Sequence, residues 1–168
     1  LLASNKFPEA LDSFKESIKF CNYHLSHFKL AKIYIARNEY SNSIIELEKC
    51  LSSYPYFEEA CNLSGFVYLE MNNLFKADYF FKRAKWINNR SEDAHVGLGL
   101  LNLKKNKLTE AKNEFYNVLE INNKNLIALK SLGEIYYSGK DYKKCFKYFK
   151  EYEELLCLLY TSDAADEL

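Results

Sequence analysis

Apolar residues recur along this chain at the period of a helix. Across residues 59–71, Leu63, Val67 and Met71 fall four apart, with Ala60, Ser64 and Tyr68 on the neighbouring row. Residues 76–86 repeat the arrangement with Ala77, Phe80, Phe81 and Ala84. No segment alternates apolar and polar positions as a half-buried strand must, so the pattern predicts an all-α chain. Short polar pairs break it into hairpins: Arg37-Asn38, Asn72-Asn73, Lys105-Asn106 and Gly139-Lys140. A second set, Tyr54-Pro55, Asn88-Asn89 and Asn122-Asn123, separates one hairpin from the next, and Ser91 stands where it can cap the following helix.

The hairpins repeat with a fixed length. Gly65, Gly99 and Gly133 are each 34 residues apart, as are Ala60, Ala94 and Ala128. Ala77, Ala111 and Cys145 keep the same spacing, and so do Phe81, Phe115 and Phe149. One period earlier the slots hold Ser26, Ala31, Ser43 and Leu47, still small or apolar. A glycine at a fixed slot predicts a close helix–helix approach there, with Ala or Cys opposite. The phenylalanines are expected to wedge between successive hairpins, with Tyr68 and Tyr136 filling the space beside the glycine.

Composition narrows the functional classes. At 48% hydrophobic and 27% charged, the 168 residues can build a continuous core. Five glycines and two prolines are too few for a turn-rich sandwich or barrel. Basic and acidic residues number 23 each, which removes the electrostatic case for a nucleic acid or anionic membrane partner. No apolar run approaches the ~18–20 residues that cross a bilayer. Cys21, Cys50, Cys61, Cys145 and Cys157 show no paired spacing and read as free thiols, which places the protein in the cytoplasm.

Residues 157–167 resemble the translation of a transposon adapter used in sequencing libraries, so residues 157–168 are set apart as a tail. The chain opens in mid-helix without Met, and neither end has the polar face of a capping repeat. A fragment of a longer protein is expected.

With these motifs in place, the array resembles tetratricopeptide repeats. The family's Gly with Tyr three residues on stands as Gly65 and Tyr68 and again as Gly133 and Tyr136. Its Ala-x-x-x-Phe stands as Ala77 to Phe81 and Ala111 to Phe115, and its loop proline as Pro55. The resemblance covers residues 1–156: a partial repeat over 1–23, carrying Ala10 and Phe14 in their slots, then repeats near 24–57, 58–91, 92–125 and 126–156. Departures are Asn102 for the Tyr, Ala31 for the Gly, and His27, Cys61, His95 and Leu129 in the large apolar slot. The resemblance implies a right-handed α-solenoid of antiparallel helix pairs that acts as a protein–protein interaction scaffold rather than an enzyme.

It also implies that the first helix of each pair lines a concave groove for a peptide or protein segment. The groove candidates are Phe28, Lys32, Asn62, Phe66, Leu69, Val96, Leu100, Leu103, Lys130, Glu134 and Tyr137. The family's carboxylate clamp for chaperone tails needs Lys–Asn and Lys–Arg pairs four apart. The matching slots hold Phe28–Lys32, Asn62–Phe66, Val96–Leu100 and Lys130–Glu134, so that partner is disfavoured. The alternative is a regulatory repeat region of a larger enzyme.

Other chemistry is thin. Cys21, His24 and His27 have metal-ligand types at i, i+3, i+6, but no second Cys or His pair follows to complete a tetrahedral set, so no metal is expected. Gly97 and Gly99 lie within a helical pattern rather than after a strand, so no phosphate loop or cofactor is implied. Lys143, Lys144, Lys147 and Lys150 are interleaved with Asp141 and Glu151 and read as a solvated helix face.

Overall fold

The computed structural model describes residues 12, 13, 15, 16 and 24–165, the last seven by their backbone alone. The partial repeat over 1–23 and Cys21 therefore lie largely outside the described residues. Among the described residues, 12, 13, 15 and 16 are helical, eight complete helices follow from His24, and no strand occurs. They are α1 (His24–Ala36), α2 (Tyr40–Ser53), α3 (Glu58–Glu70), α4 (Leu74–Ile87), α5 (Glu92–Lys104), α6 (Leu108–Ile121), α7 (Leu126–Ser138) and α8 (Tyr142–Ala165). The fold is an α-solenoid of helix pairs, α1 with α2, α3 with α4, α5 with α6 and α7 with α8. Two compact units form, Leu1–Asn89 and Arg90–Leu168, each with two complete pairs. α8 runs through residue 156 to Ala165, so the backbone of the adapter-like stretch is helical as far as that residue.

The hairpin turns share one geometry. Asn38, Asn72, Asn106 and Lys140 all have φ between 56° and 61°, the left-handed region. In each turn the next residue's N–H reaches back five residues: Glu39 to Tyr34, Asn73 to Tyr68 and Lys107 to Asn102, all at 2.8 Å, and Asp141 to Tyr136 at 3.0 Å. This is a Schellman closure, which satisfies the orphan carbonyls of the first helix and reverses the chain. Asn tolerates the left-handed well because its short side chain is accommodated there, and Lys enters it at a higher cost. In the fourth turn the glycine sits one place too early, with Gly139 at φ −81° and Lys140 at φ 61°. Lys140→Gly is expected to raise the unfolding free energy by about 1 kcal/mol, read as a higher denaturant midpoint at unchanged slope. A lower midpoint would show that the lysine side chain contributes more than its backbone strain costs.

Helix starts follow the sequence in part. The Ser91 hydroxyl accepts from the Ala94 N–H at 3.2 Å, as its position predicts. Asn73 caps α4 and Asn125 caps α7 in the same manner, at 3.1 and 2.8 Å. Each such cap contributes about 1 kcal/mol by satisfying one free N–H.

Packing around the glycines differs from the expectation in one respect. A Cβ built on Gly65 would lie 2.5 Å from the Phe81 ring, on Gly99 2.6 Å from Phe115, and on Gly133 2.8 Å from Phe149. The ring of the partner helix, not an Ala or Cys, occupies the glycine's space. Phe81 and Phe115 are completely buried, each against the glycine of its own hairpin. Tyr68 stacks on Phe80 at 5.6 Å and Tyr136 on Tyr148 at 5.7 Å, filling the flank.

Candidate functional site

The first helices are α1, α3, α5 and α7, and they carry the groove candidates. Their exposure is uneven. Lys32, Lys130, Glu134 and Tyr137 are exposed, with Tyr137 at 64%, while Phe28, Phe66, Leu100 and Leu103 are half-buried. Asn62, Leu69 and Val96 are buried, at 2–3%, and offer no open surface. The cause is local. α3 buries Ala60, Cys61, Asn62, Ser64 and Gly65, and α5 buries every residue from Ala94 to Gly99, so their first turns are covered nearly all round. A partner segment on these helices would meet Phe66, Leu100 and Leu103 rather than those three.

Within Leu1–Asn89, Phe28 packs on Phe57 at 4.9 Å, and Lys32 stands 5.8 Å over the Phe28 ring. Phe66 meets Phe81 edge-on at 4.9 Å. These rings are therefore anchored on one side, which leaves a fixed rather than floppy apolar surface. Within Arg90–Leu168, Lys130 and Glu134 approach to 3.9 Å, a solvent-exposed pair of small energetic weight. Tyr137 touches Tyr142 edge-on at 6.2 Å, so its ring is oriented though exposed.

A clasp that the sequence pattern did not announce closes the open end of a hairpin. In the first unit the Asn88 side-chain amide donates to Glu58 at 2.8 Å, and the Asn62 amide donates to the same carboxylate at 3.2 Å. One period on, Asn122 and Asn125 donate to Glu92 at 2.9 and 2.6 Å. One period back, the equivalent slots bring His24 and Tyr54 into ring contact at 5.0 Å. The 34-residue spacing of Glu58 with Glu92 and Asn88 with Asn122 was the available signal.

The histidines are structural. His27 Nδ1 lies 2.7 Å from the Glu46 carboxylate, and His95 Nδ1 lies 2.6 Å from Glu114. Both pairs span 19 residues and link the two helices of a hairpin. The same two slots hold Cys61 and Phe80 in the second repeat and Leu129 and Tyr148 in the fourth. Two repeats thus join their helices by a His–carboxylate contact, and the other two by stacked rings. His27 is engaged by Glu46, and no group of three metal-ligating side chains occurs among the described residues. Burial, with a smaller contribution from neighbouring Cys61, pushes the Cys50 thiol up to about 11, and burial raises Cys61 as well. Both stay protonated at neutral pH and are poor nucleophiles. No helix among the described residues is long and apolar enough to cross a membrane.

A family model described as Tetratricopeptide repeat matches residues 25–57 and 92–125. Those two stretches carry tetratricopeptide repeats. Subunit 3 of the anaphase-promoting complex of Schizosaccharomyces pombe is 29% identical to it over 120 residues, 71% of this chain. The chain spans 18% of that relative's length. Among solved structures, MamA superposes with a TM-score of 0.80 at 22% identity, covering 94% of this chain and 92% of its own. YrrB, described as a tetratricopeptide-repeat protein with an unusual peptide-binding site, gives 0.70 at 17% identity, covering 98% of this chain and 85% of its own. At these identities the structural likeness speaks for the fold. Tetratricopeptide repeats of this kind are a scaffold for protein–protein contact.

Proposed function

We propose that the repeats bind an extended or helical protein segment on the first-helix row, without catalysis and without the charge pattern of a chaperone-tail clamp. The observation that carries this reading is the opening of one repeat slot from the second repeat to the fourth. Leu69 is buried, Leu103 half-buried and Tyr137 exposed, although all three occupy equivalent places. In Arg90–Leu168, Leu100 and Leu103 supply apolar contact, while Lys130, Glu134 and Tyr137 supply polar and aromatic contact. In Leu1–Asn89 the corresponding residues are Phe28, Lys32 and Phe66. An exposed tyrosine oriented by a neighbouring ring is of the residue type that dominates interface energy. The peptide-binding site named for YrrB supports a peptide ligand for a protein of this fold.

The test is a peptide selected from a random library on the intact chain. Tyr137→Ala and Leu100→Ser should each weaken it by roughly thirtyfold, the equivalent of about 2 kcal/mol per anchor. Tyr137→Ala should leave the melting temperature unchanged, because an exposed ring leaves no cavity. Undiminished affinity in both variants would remove the first-helix row from the binding surface.

A further inference from the structure

Among the described residues, one strongly exposed aromatic surface lies on a second helix. On α4, Phe75 is 84% exposed, Tyr79 55% and Trp86 73%. Positions 75, 79 and 86 follow i, i+4, i+11 and so fall on one stripe of the helix. Tyr56, 60% exposed in the preceding loop, lies 6.0 Å from the Trp86 ring and extends the patch. Scattered exposed apolar residues need no explanation, but three exposed aromatics on one stripe of a helix do.

The repeat register shows that the fold does not require these rings. The slot of Phe75 holds Ser41, Thr109 and Lys143 in the other repeats. The slot of Trp86 holds Ser52, Glu120 and Glu154, and that of Tyr79 holds Ile45, Asn113 and Lys147. Three hairpins of the same design pack with mainly polar residues there, so the aromatics are surplus to packing. Their surroundings are basic. α4 carries Lys76, Lys82, Arg83 and Lys85 against the single acid Asp78, which already pairs with Lys82 at 2.6 Å.

We infer that this face of α4 is a docking site for an acidic, amphipathic protein segment that lays apolar anchors on Phe75, Tyr79 and Trp86. Its carboxylates would meet the basic residues beside the stripe, so charge complementarity selects the partner while ring burial supplies the affinity. Each ring offers about 150–250 Å² when fully covered. That gives ~1,000 Å² or slightly more over both partners, the low end of specific interfaces, with transient binding. A second copy of this chain fits poorly. Two-fold antiparallel pairing brings the same flank of each helix together, and Lys76 and Arg83 would meet their own counterparts. Single-stranded nucleic acid is also disfavoured, because the chain has no net charge. This surface is separate from the first-helix row proposed above.

Trp86 is the single tryptophan of the chain, so its fluorescence reports occupancy directly. The probe is a synthetic amphipathic helix with Leu along one face and Glu elsewhere, and its control replaces every Glu with Lys. The Glu peptide should shift Trp86 emission to the blue and saturate at micromolar concentration, with the Lys peptide at least about tenfold weaker. Phe75→Ser with Tyr79→Ser should abolish the response at an unchanged melting temperature. Lys85→Glu, which leaves the rings in place, should weaken it about threefold or more. Tyr137→Ala should leave it intact, which keeps this surface and the first-helix row experimentally apart. The inference is overturned by an absence of saturation at ~1 mM, by equal response to both peptides, or by survival of binding in the double variant. A stronger response to oligo-dT overturns it in favour of nucleic acid. Concentration-dependent sedimentation lost in the double variant overturns it in favour of self-association.

Discussion

Phe115→Ala is expected to lower the unfolding free energy by about 3–5 kcal/mol, the range for removing a large buried ring. The side chain has no exposed surface and fills the space over Gly99, so its loss opens a void against backbone. No neighbouring side chain springs from Gly99 to collapse into that void, which places the cost toward the upper end. The measurement is denaturant unfolding followed by helicity. A loss below 1 kcal/mol would mean that α5 and α6 close on each other when the ring is gone. Phe149→Ala provides the internal contrast, because Phe149 is half-buried and less packing is lost with it.

Gly99→Val attacks the same contact from the other side and should cost about 1–3 kcal/mol, with the upper figure favoured. The added Cβ would stand 2.6 Å from Cε1 of Phe115, a separation that no real pair sustains. Helix propensity works in the opposite direction, since Gly inside a helix is about 1 kcal/mol worse than Ala. The clash wins because the ring is enclosed and cannot swing away. Two consequences make the argument checkable. Gly133→Val should be milder than Gly99→Val, because Phe149 is half-buried and its ring can move. Gly99→Ala should also cost less in a Phe115→Ala background than in the parent, a coupling of about 0.5–3 kcal/mol between touching residues. An unchanged midpoint for Gly99→Val would refute the contact.

Much of this architecture is legible in the sequence, because helix period, turn chemistry and repeat spacing all point the same way. Gly65 and Phe81 recur one period apart, so their slots stand out before any coordinates are known. What meets Gly65 across the hairpin was not legible. Period fixes which residues are equivalent, but not which side chain crosses to which. The Glu58–Asn88 and His27–Glu46 pairs escaped for a related reason. Each member is an ordinary polar residue alone, and only the approach of two helices makes them partners. The surface was harder still. Asn62, Leu69 and Val96 share a helix face with Phe66 and Leu100, yet burial depends on what covers that face. A wheel projection cannot supply this. Phe75, Tyr79 and Trp86 passed unnoticed because aromatics on an amphipathic helix ordinarily belong to its core.

The hairpin turns also bear on how the protein ages. An asparagine deamidates when the next residue's backbone nitrogen attacks its side-chain carbonyl and closes a five-membered imide. In the turns at Asn38, Asn72 and Asn106, that nitrogen belongs to Glu39, Asn73 and Lys107, and each is already donating its proton to a carbonyl five residues back, at 2.8 Å. The bond holds the nitrogen's hydrogen in the helix end and opposes the rotation that ring closure requires. The backbone conformation that favours asparagine at these places thus also shields it from its characteristic chemical decay for as long as the hairpin stays folded.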